Sequence, residues 1–185
     1  MNKKQHPIIE TDRLILRPFE LDDAPVIRRF IGDWDVSNTL QNVPYPYEDG
    51  MAETWIKTSD ERFKRGESLN FAITHQGHGK LIGSIGISID GKNERGELGY
   101  WIGKPYWGNG YCSEAALEVV KYGFQGLELN RIYAMHMTRN PASGRVMQKI
   151  GMVHEGRLRQ HAKVHGIFED YDLYGILGSE YMAPR

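Results

Sequence analysis

The sequence predicts an α/β domain of the α+β type, with a mixed sheet of about seven strands and about four helices. Three observations predict it. Short stretches of alternating apolar residues recur along the chain, as half-buried strands require. Two of them flank Asp90-Gly91, a turn signal that joins antiparallel neighbours. Between Tyr111 and Met137 the period passes from helix to strand, which adds a β-α-β unit. Hairpins beside a β-α-β unit make the sheet mixed and not all parallel.

The elements follow in order. Leu14 and Leu16 alternate with outward positions in residues 13–18, and Pro18 ends this strand. Asp22 is the expected cap of a helix carrying Val26, Ile27, Phe30 and Ile31 at helical spacing. Residues 33–47 are rich in Asn, Pro and aromatics, show no clean period, and read as a loop. A second helix is expected over residues 48–65, stopped by Gly66. Strands follow at 69–74, 81–89 and 97–102; Ile85, Ile87 and Ile89 give the second its alternation. Ala116, Val119, Val120, Gly123, Phe124 and Leu127 then mark an amphipathic helix. Residues 131–137 read as a strand. Asn140-Pro141 predicts a helix start, an Asn cap before Pro at the first helical position, and Gly151 its stop. Strands at about 152–161 and 168–177 close the order β α α β β β α β α β β.

With 185 residues the chain has the size of one domain, taken here as residues 1–185. Its 40% hydrophobic and 25% charged residues suit a globular chain, and 4 Trp, 10 Tyr and 6 Phe give it ample surface to bury. The net charge is −1 and no Lys/Arg run forms an arm for nucleic acid or membrane, so neither partner is expected. The opening Met1-Asn2-Lys3-Lys4-Gln5-His6 has no apolar stretch behind it and does not read as a signal peptide. No apolar run approaches the ~20 residues of a membrane span. Cys112 is the one cysteine, so an internal disulfide is impossible and a cytoplasmic location is the expectation.

The chemistry concentrates in residues 99–115, where a strand, a glycine-containing loop and a helix start succeed one another. The first turn of a helix leaves N–H groups without partners, and its dipole adds partial positive charge. Glycines let an anion approach the backbone. Taken alone, Gly108-Asn109-Gly110 is as readily a turn as a phosphate cradle. A dinucleotide fingerprint would end at Ser113 and lacks its acid ~20 residues on, and no Gly-Lys-Ser/Thr occurs.

Four pieces in order carry a resemblance. They are Thr11-Asp12-Arg13-Leu14-Ile15-Leu16-Arg17, Glu97-Leu98-Gly99-Tyr100-Trp101-Ile102, Trp107-Gly108-Asn109-Gly110-Tyr111 running into Ser113-Glu114-Ala115, and Asn140-Pro141-Ala142-Ser143 with Lys149-Ile150-Gly151-Met152. The closing stretch from His165-Gly166 to Asp170, and then Tyr174, also fits. On them the chain resembles the GNAT superfamily of acyl-CoA-dependent N-acetyltransferases, most closely the ribosomal-protein N-terminal acetyltransferase branch. The resemblance implies a mostly antiparallel, twisted GNAT-like sheet and acetyl-CoA as co-substrate, with no metal. It implies that backbone N–H groups of Trp107, Gly108, Asn109, Gly110, Tyr111, Cys112 and Ser113 grip the pyrophosphate, and that Tyr100, Trp101 and Ile102 pair with the pantetheine arm. It implies further that Asn140 contacts that arm and that Ser143 stands near the sulfur as a donor. The family's Gln/Arg-x-x-Gly-x-Gly/Ala motif opens here on Pro105, which has no N–H to give. The tyrosine acid of many GNAT enzymes is missing from 145–147.

An attacking amine must lose a proton, and Glu97 is the leading base, a solvated strand-edge carboxylate being the alternative. Where some members of the branch use a later glutamate this chain has Ala162, with His161, His165, Glu155 and Asp170 as substitutes nearby. Cys112 at a helix start raises a covalent alternative through a depressed thiol pKa. The four-residue step from His161 to His165 would suit a metal only on a helix. The branch implies a protein N-terminus as acceptor, perhaps ribosomal in origin, while other members of the family use small amines. Trp34, Tyr45, Tyr47 and Trp55 are candidate walls of the acceptor site, and Asp33, Asp35, Glu48 and Asp49 would favour a cationic acceptor. A non-catalytic acyl-CoA-binding module is the rival class. A homodimer is compatible with the family.

Overall fold

The computed structural model describes residues 5–181, so Met1 to Lys4 of the opening segment lie outside the described residues. Among the described residues eight strands form one sheet: β1 (Ile9–Glu10), β2 (Leu14–Arg17), β3 (Ser68–His75), β4 (Leu81–Asp90), β5 (Arg95–Ile102), β6 (Arg131–Met137), β7 (Val153–Val164) and β8 (Ile167–Leu177). Their spatial order is β1-β2-β3-β4-β5-β6-β8-β7. Neighbours are antiparallel except β5 and β6, which run parallel because a crossover helix joins them.

The helices are α1 (Ala24–Ile31), α2 (Trp34–Ser37), α3 (Met51–Arg65), α4 (Tyr111–Gln125), α5 (Pro141–Lys149) and α6 (Gly178–Tyr181). Helices α4 and α5 cover one face of the sheet, where Val119, Val120 and Met147 meet Ile85, Ile87, Leu98 and Ile132. A Cβ at Gly123 would lie 2.5 Å from Ile132, so a glycine there lets α4 sit close on β6. Helices α1 and α3 cover the other face, where Ile27, Ile31 and Ile56 pack with Ala72 and Leu81.

Short elements depart from the sequence expectation. Strand β1 and helix α6 are too brief to show a period. Helix α2 forms inside the expected loop because Asp33 accepts from the Asp35 N–H at 2.9 Å and Val36 is buried. Helix α3 begins at Met51, not at 48, since Gly50 at φ 81° turns the chain there. Asp22 is not the cap of α1. It lies in a 3-10 turn, Leu21–Asp23, and the buried Asp23 instead accepts from Arg17 and the Glu20 N–H.

One junction ties the start of the chain to α4. Glu114, in the first turn of α4, accepts from Thr11 Oγ1 (2.6 Å), the Arg13 N–H (2.9 Å) and Arg13 Nε (2.7 Å). Arg13 Nη1 also donates to the Asn109 carbonyl at 3.0 Å, and its guanidinium lies over the Tyr111 ring. Burial alone would raise the pKa of Glu114, but the bonds from Thr11 and Arg13 outweigh it and hold the carboxyl below its ordinary value. A carboxyl depressed by folding adds stability above its unfolded pKa and loses it as pH falls through the folded one. Glu114→Gln is expected to cost about 1–2 kcal/mol at pH 7. The deficit should shrink below about pH 4.5 and vanish once Glu114 is protonated in both states, as denaturant unfolding at the two pH values would show.

Candidate active site

The site begins where β5 and β6 part. They pair only at Arg95↔Arg131, Gly96↔Ile132 and Glu97↔Tyr133, although both strands continue beyond. The other side of β5 stays paired with β4 along its whole length. The Gly103 N–H donates to the Ile82 carbonyl. By the alternation of an antiparallel ladder, Glu97, Gly99 and Trp101 then spend their backbone groups on β4. Leu98, Tyr100 and Ile102 turn theirs toward the gap. Of the three residues expected to pair with the arm, Tyr100 and Ile102 therefore turn their backbone to the gap and Trp101 does not. The Ile102 carbonyl accepts from Trp107 Nε1 at 2.6 Å, which leaves the backbone of Tyr100 the most open at the gap.

A cleft of about 1100 Å3 runs through this gap. At one end lies the loop entering α4. Gly108 (φ 77°) and Gly110 (φ 81°) occupy the left-handed region, where a side chain is strained. The first bond of the helix runs from the Glu114 N–H to the Gly110 carbonyl, so the N–H groups of Tyr111, Cys112 and Ser113 precede the helical ladder. The Trp107 N–H does not join them. Pro105 lies in a 3-10 turn, Lys104–Tyr106, and that turn draws the Trp107 N–H onto the Lys104 carbonyl at 3.2 Å. Asn109 folds its side chain back onto the Tyr106 and Trp107 carbonyls and does not line the cleft.

The first turn of α5 forms the opposite wall. Asn140 precedes it but makes no side-chain capping bond, which corrects the expected cap; the residue lines the cleft. Tyr100 donates to the Ser143 carbonyl at 3.0 Å, and its hydroxyl stands 3.0 Å from Ser143 Oγ. Desolvation raises the Tyr100 pKa far above its ordinary value, so the phenol keeps its proton. Gly144 belongs to the same turn, and a Cβ there would lie 2.6 Å from His136 Nε2. The buried His136 ring donates from Nδ1 to the Met137 carbonyl at 2.8 Å and so helps set the spacing of α5 from the sheet.

Glu97 lies on the other face of β5 and accepts from Tyr133 Oη at 3.2 Å. Among the described residues it is the only carboxylate lining the cleft. The four proposed substitutes are elsewhere. Glu155 holds Arg131, Asp170 accepts from the Gln160 N–H, His161 packs on Tyr171, and His165 packs on Trp34 and Tyr45 at a hairpin tip. Of the proposed aromatic walls, Tyr47 and Trp55 line the cleft, while Trp34 and Tyr45 pack on each other outside it. Asp35 pairs with Lys104 and Asp49 with Arg28, and neither they nor Asp33 and Glu48 face the cleft. Among the described residues no three His, Cys, Asp or Glu converge as a metal site needs, and no helix is long and apolar enough to cross a membrane. The Tyr100 hydroxyl, His136 and the Arg13–Glu114 junction escaped sequence reading, since each depends on contacts between distant segments.

Comparison with known proteins fits this geometry. Residues 13–153 match the family described as the acetyltransferase (GNAT) domain. The chain belongs to the GNAT acetyltransferase family. It is 36% identical over 174 residues to YoaA of Bacillus subtilis (strain 168), called an uncharacterized N-acetyltransferase, covering 92% of this chain and 97% of that one. It is 35% identical over 108 residues to YdaF of the same organism, called a putative ribosomal N-acetyltransferase, covering 58% and 59%. A GNAT-family acetyltransferase structure from Bacillus anthracis superposes with a TM-score of 0.82 at 29% identity, covering 94% of this chain and all of that one. The protein is thus an acetyl-CoA-dependent N-acetyltransferase that acts on amines.

The residues present suit acetyl-CoA. Three outward N–H groups at a helix start suit a pyrophosphate, and the open backbone of Tyr100 suits an amide-containing arm. Cys112 does not suit covalent catalysis. Desolvation pushes its thiol up to about 12, the reverse of the depressed pKa that a nucleophile requires. Native protein at pH 8 should therefore react with a disulfide reagent at least about a hundredfold slower than the unfolded chain. Equal rates in the two states would place the thiol in a different environment.

Proposed function

We propose that this acetyltransferase moves the acetyl group directly from acetyl-CoA to the α-amine of a polypeptide, as one domain spanning residues 1–185. One observation carries the reading. Glu97 and the Tyr100–Ser143 pair flank the parting of β5 and β6 from opposite faces of one strand. An acceptor on the Glu97 face and a thioester on the Ser143 face would meet in the gap.

Acetyl-CoA would supply an activated acetyl group, and CoA would leave as the free thiol. The N–H groups of Tyr111, Cys112 and Ser113 hold its pyrophosphate, helped by the glycine turn at 108 and 110. Asn140 and the backbone of Tyr100 take the arm, and the Tyr100 N–H serves the carbonyl oxygen. Ser143 Oγ donates to the departing sulfur, and Tyr100 holds the turn that carries it by donating to the Ser143 carbonyl. Glu97 accepts a proton from the incoming ammonium. A polypeptide α-amine, with an ordinary pKa of about 8, gives up that proton far more readily than a lysine amine at about 10.4. The ribosomal description of YdaF supports the same acceptor class. The single cysteine supports a cytoplasmic setting, and the family resemblance supports a homodimer.

Release of free thiol from acetyl-CoA across a panel of peptides and small amines tests the reading. Turnover of unblocked peptides is expected; coenzyme binding with no turnover of any amine would overturn it. Ser143→Ala should lower kcat about 10- to 100-fold with little change in the KM for acetyl-CoA. Glu97→Gln should lower kcat/KM for the amine most strongly at neutral pH and recover part of it in alkali, where the amine is already neutral.

A further inference from the structure

We propose that the acceptor arm of the cleft is a trench across β3, β4 and β5 that reads the first residues of an extended polypeptide and rejects polyamines. The proposal rests on the acetyl-transfer reading above and adds the subsite that chooses the amine.

The strand registers align three rows across the sheet: Asn70 beside Gly86 beside Gly99, Ser68 beside Ser88 beside Glu97, and Ala72 beside Ser84 beside Trp101. Residues alternate in facing, and Ile85, Ile87 and Leu98 enter the core under α4, so these rows face α1 and α3. Two adjacent glycines leave the middle row without side chains on β4 and β5. A Cβ at Gly99 would meet nothing within 4 Å, so this part of the floor opens on space. At Gly86 a Cβ would lie 2.1 Å from Asn70 Oδ1, so the amide oxygen lies directly over the bare strand. Asn70 Nδ2 donates to Ser59 Oγ (2.9 Å) and Ser68 Oγ (3.3 Å), which fixes the amide and leaves Oδ1 to accept from an occupant of the trench. Trp55 and Thr58 of α3 and Trp101 of β5 line the same space.

The strongest acceptors in the trench are therefore one carboxylate, Glu97, and one fixed amide oxygen, beside the hydroxyls of Ser84 and Ser88. The backbone positions of Glu97 and Asn70 are two strand spacings and two residues apart, on the order of 12 Å, the length of about three extended residues. A polypeptide N-terminus matches this pair. It carries one ammonium for Glu97 and, farther along, main-chain N–H groups for Asn70 Oδ1. A polyamine has the length but brings a second ammonium group. That charge would find no carboxylate, since Glu97 is the only one lining the cleft among the described residues. An ammonium desolvated without a counter-charge is strongly disfavoured.

The test compares three amines: a tetrapeptide of neutral residues with a free N-terminus, the amide of its first residue alone, and spermidine. Turnover with acetyl-CoA and calorimetric binding to the CoA complex are both measured. The tetrapeptide should exceed each of the others at least about tenfold in kcat/KM, the ratio set by a 1.4 kcal/mol difference. Asn70→Asp should narrow or invert the gap to spermidine by adding a second carboxylate. Gly99→Val should fill the floor and lower peptide turnover at least about tenfold while leaving CoA affinity unchanged, with unfolding curves confirming that each variant folds. Spermidine or the single-residue amide matching the tetrapeptide in wild-type protein would overturn the proposal. If CoA binds and no amine turns over, the transfer reading fails instead. Calorimetric preference between tetrapeptide and spermidine then still decides the trench.

Discussion

The parting of β5 and β6 after Glu97 and Tyr133 is the constraint on which the site depends. A parallel pair normally continues until one strand ends, because each unpaired backbone group left inside is costly. Here the pairing ends after three residues while the strands run on. The backbone of Tyr100 then stands open between two sheet halves that are otherwise well paired. An extended, amide-containing molecule can supply the missing edge without any special side chain. The same parting places a crossover helix start at one end of the gap and the first turn of α5 at the other. Three components of the site thus follow from one break in a ladder.

At the α4 end of the cleft the anion-binding groups are the neutral N–H groups of Tyr111, Cys112 and Ser113. No lysine or arginine run approaches the α4 start. The nearest arginine, Arg13, is directed onto Glu114 and the Asn109 carbonyl. Its contribution is mechanical: it fixes the loop that presents the outward N–H groups. The link also explains why a short motif at the chain's beginning and a glycine loop near its middle occur together. One supplies the clamp and the other supplies the carboxylate that closes it.

Much of this was legible in the residues. The periods of β4 and α4, the Asp90-Gly91 turn and the β-α-β unit were enough for a mixed sheet with helices on its faces. The glycines at 108 and 110 marked the anion-binding loop, although a turn alone would read the same way. Less legible was anything that depends on register. Which backbone groups of 98–102 face the gap is decided by pairing with β4, and this removed Trp101 from the arm-binding set. The same holds for the row Asn70, Gly86 and Gly99, which are ordinary strand residues until three strands are aligned. Local competition accounts for other corrections. The 3-10 turn at Pro105 took the Trp107 N–H, and ion pairs took Asp35 and Asp49 away from the acceptor. Desolvation of Cys112 is likewise invisible in sequence, because it follows from what packs around the start of α4.

Amide hydrogen exchange with and without CoA tests the central claim most directly. Slower exchange is predicted at the Tyr100 amide and at Tyr111, Cys112 and Ser113, with strand β7 unchanged. Protection confined to other segments, or no change at Tyr100 under saturating CoA, would contradict the assignment of the strand gap to the cofactor.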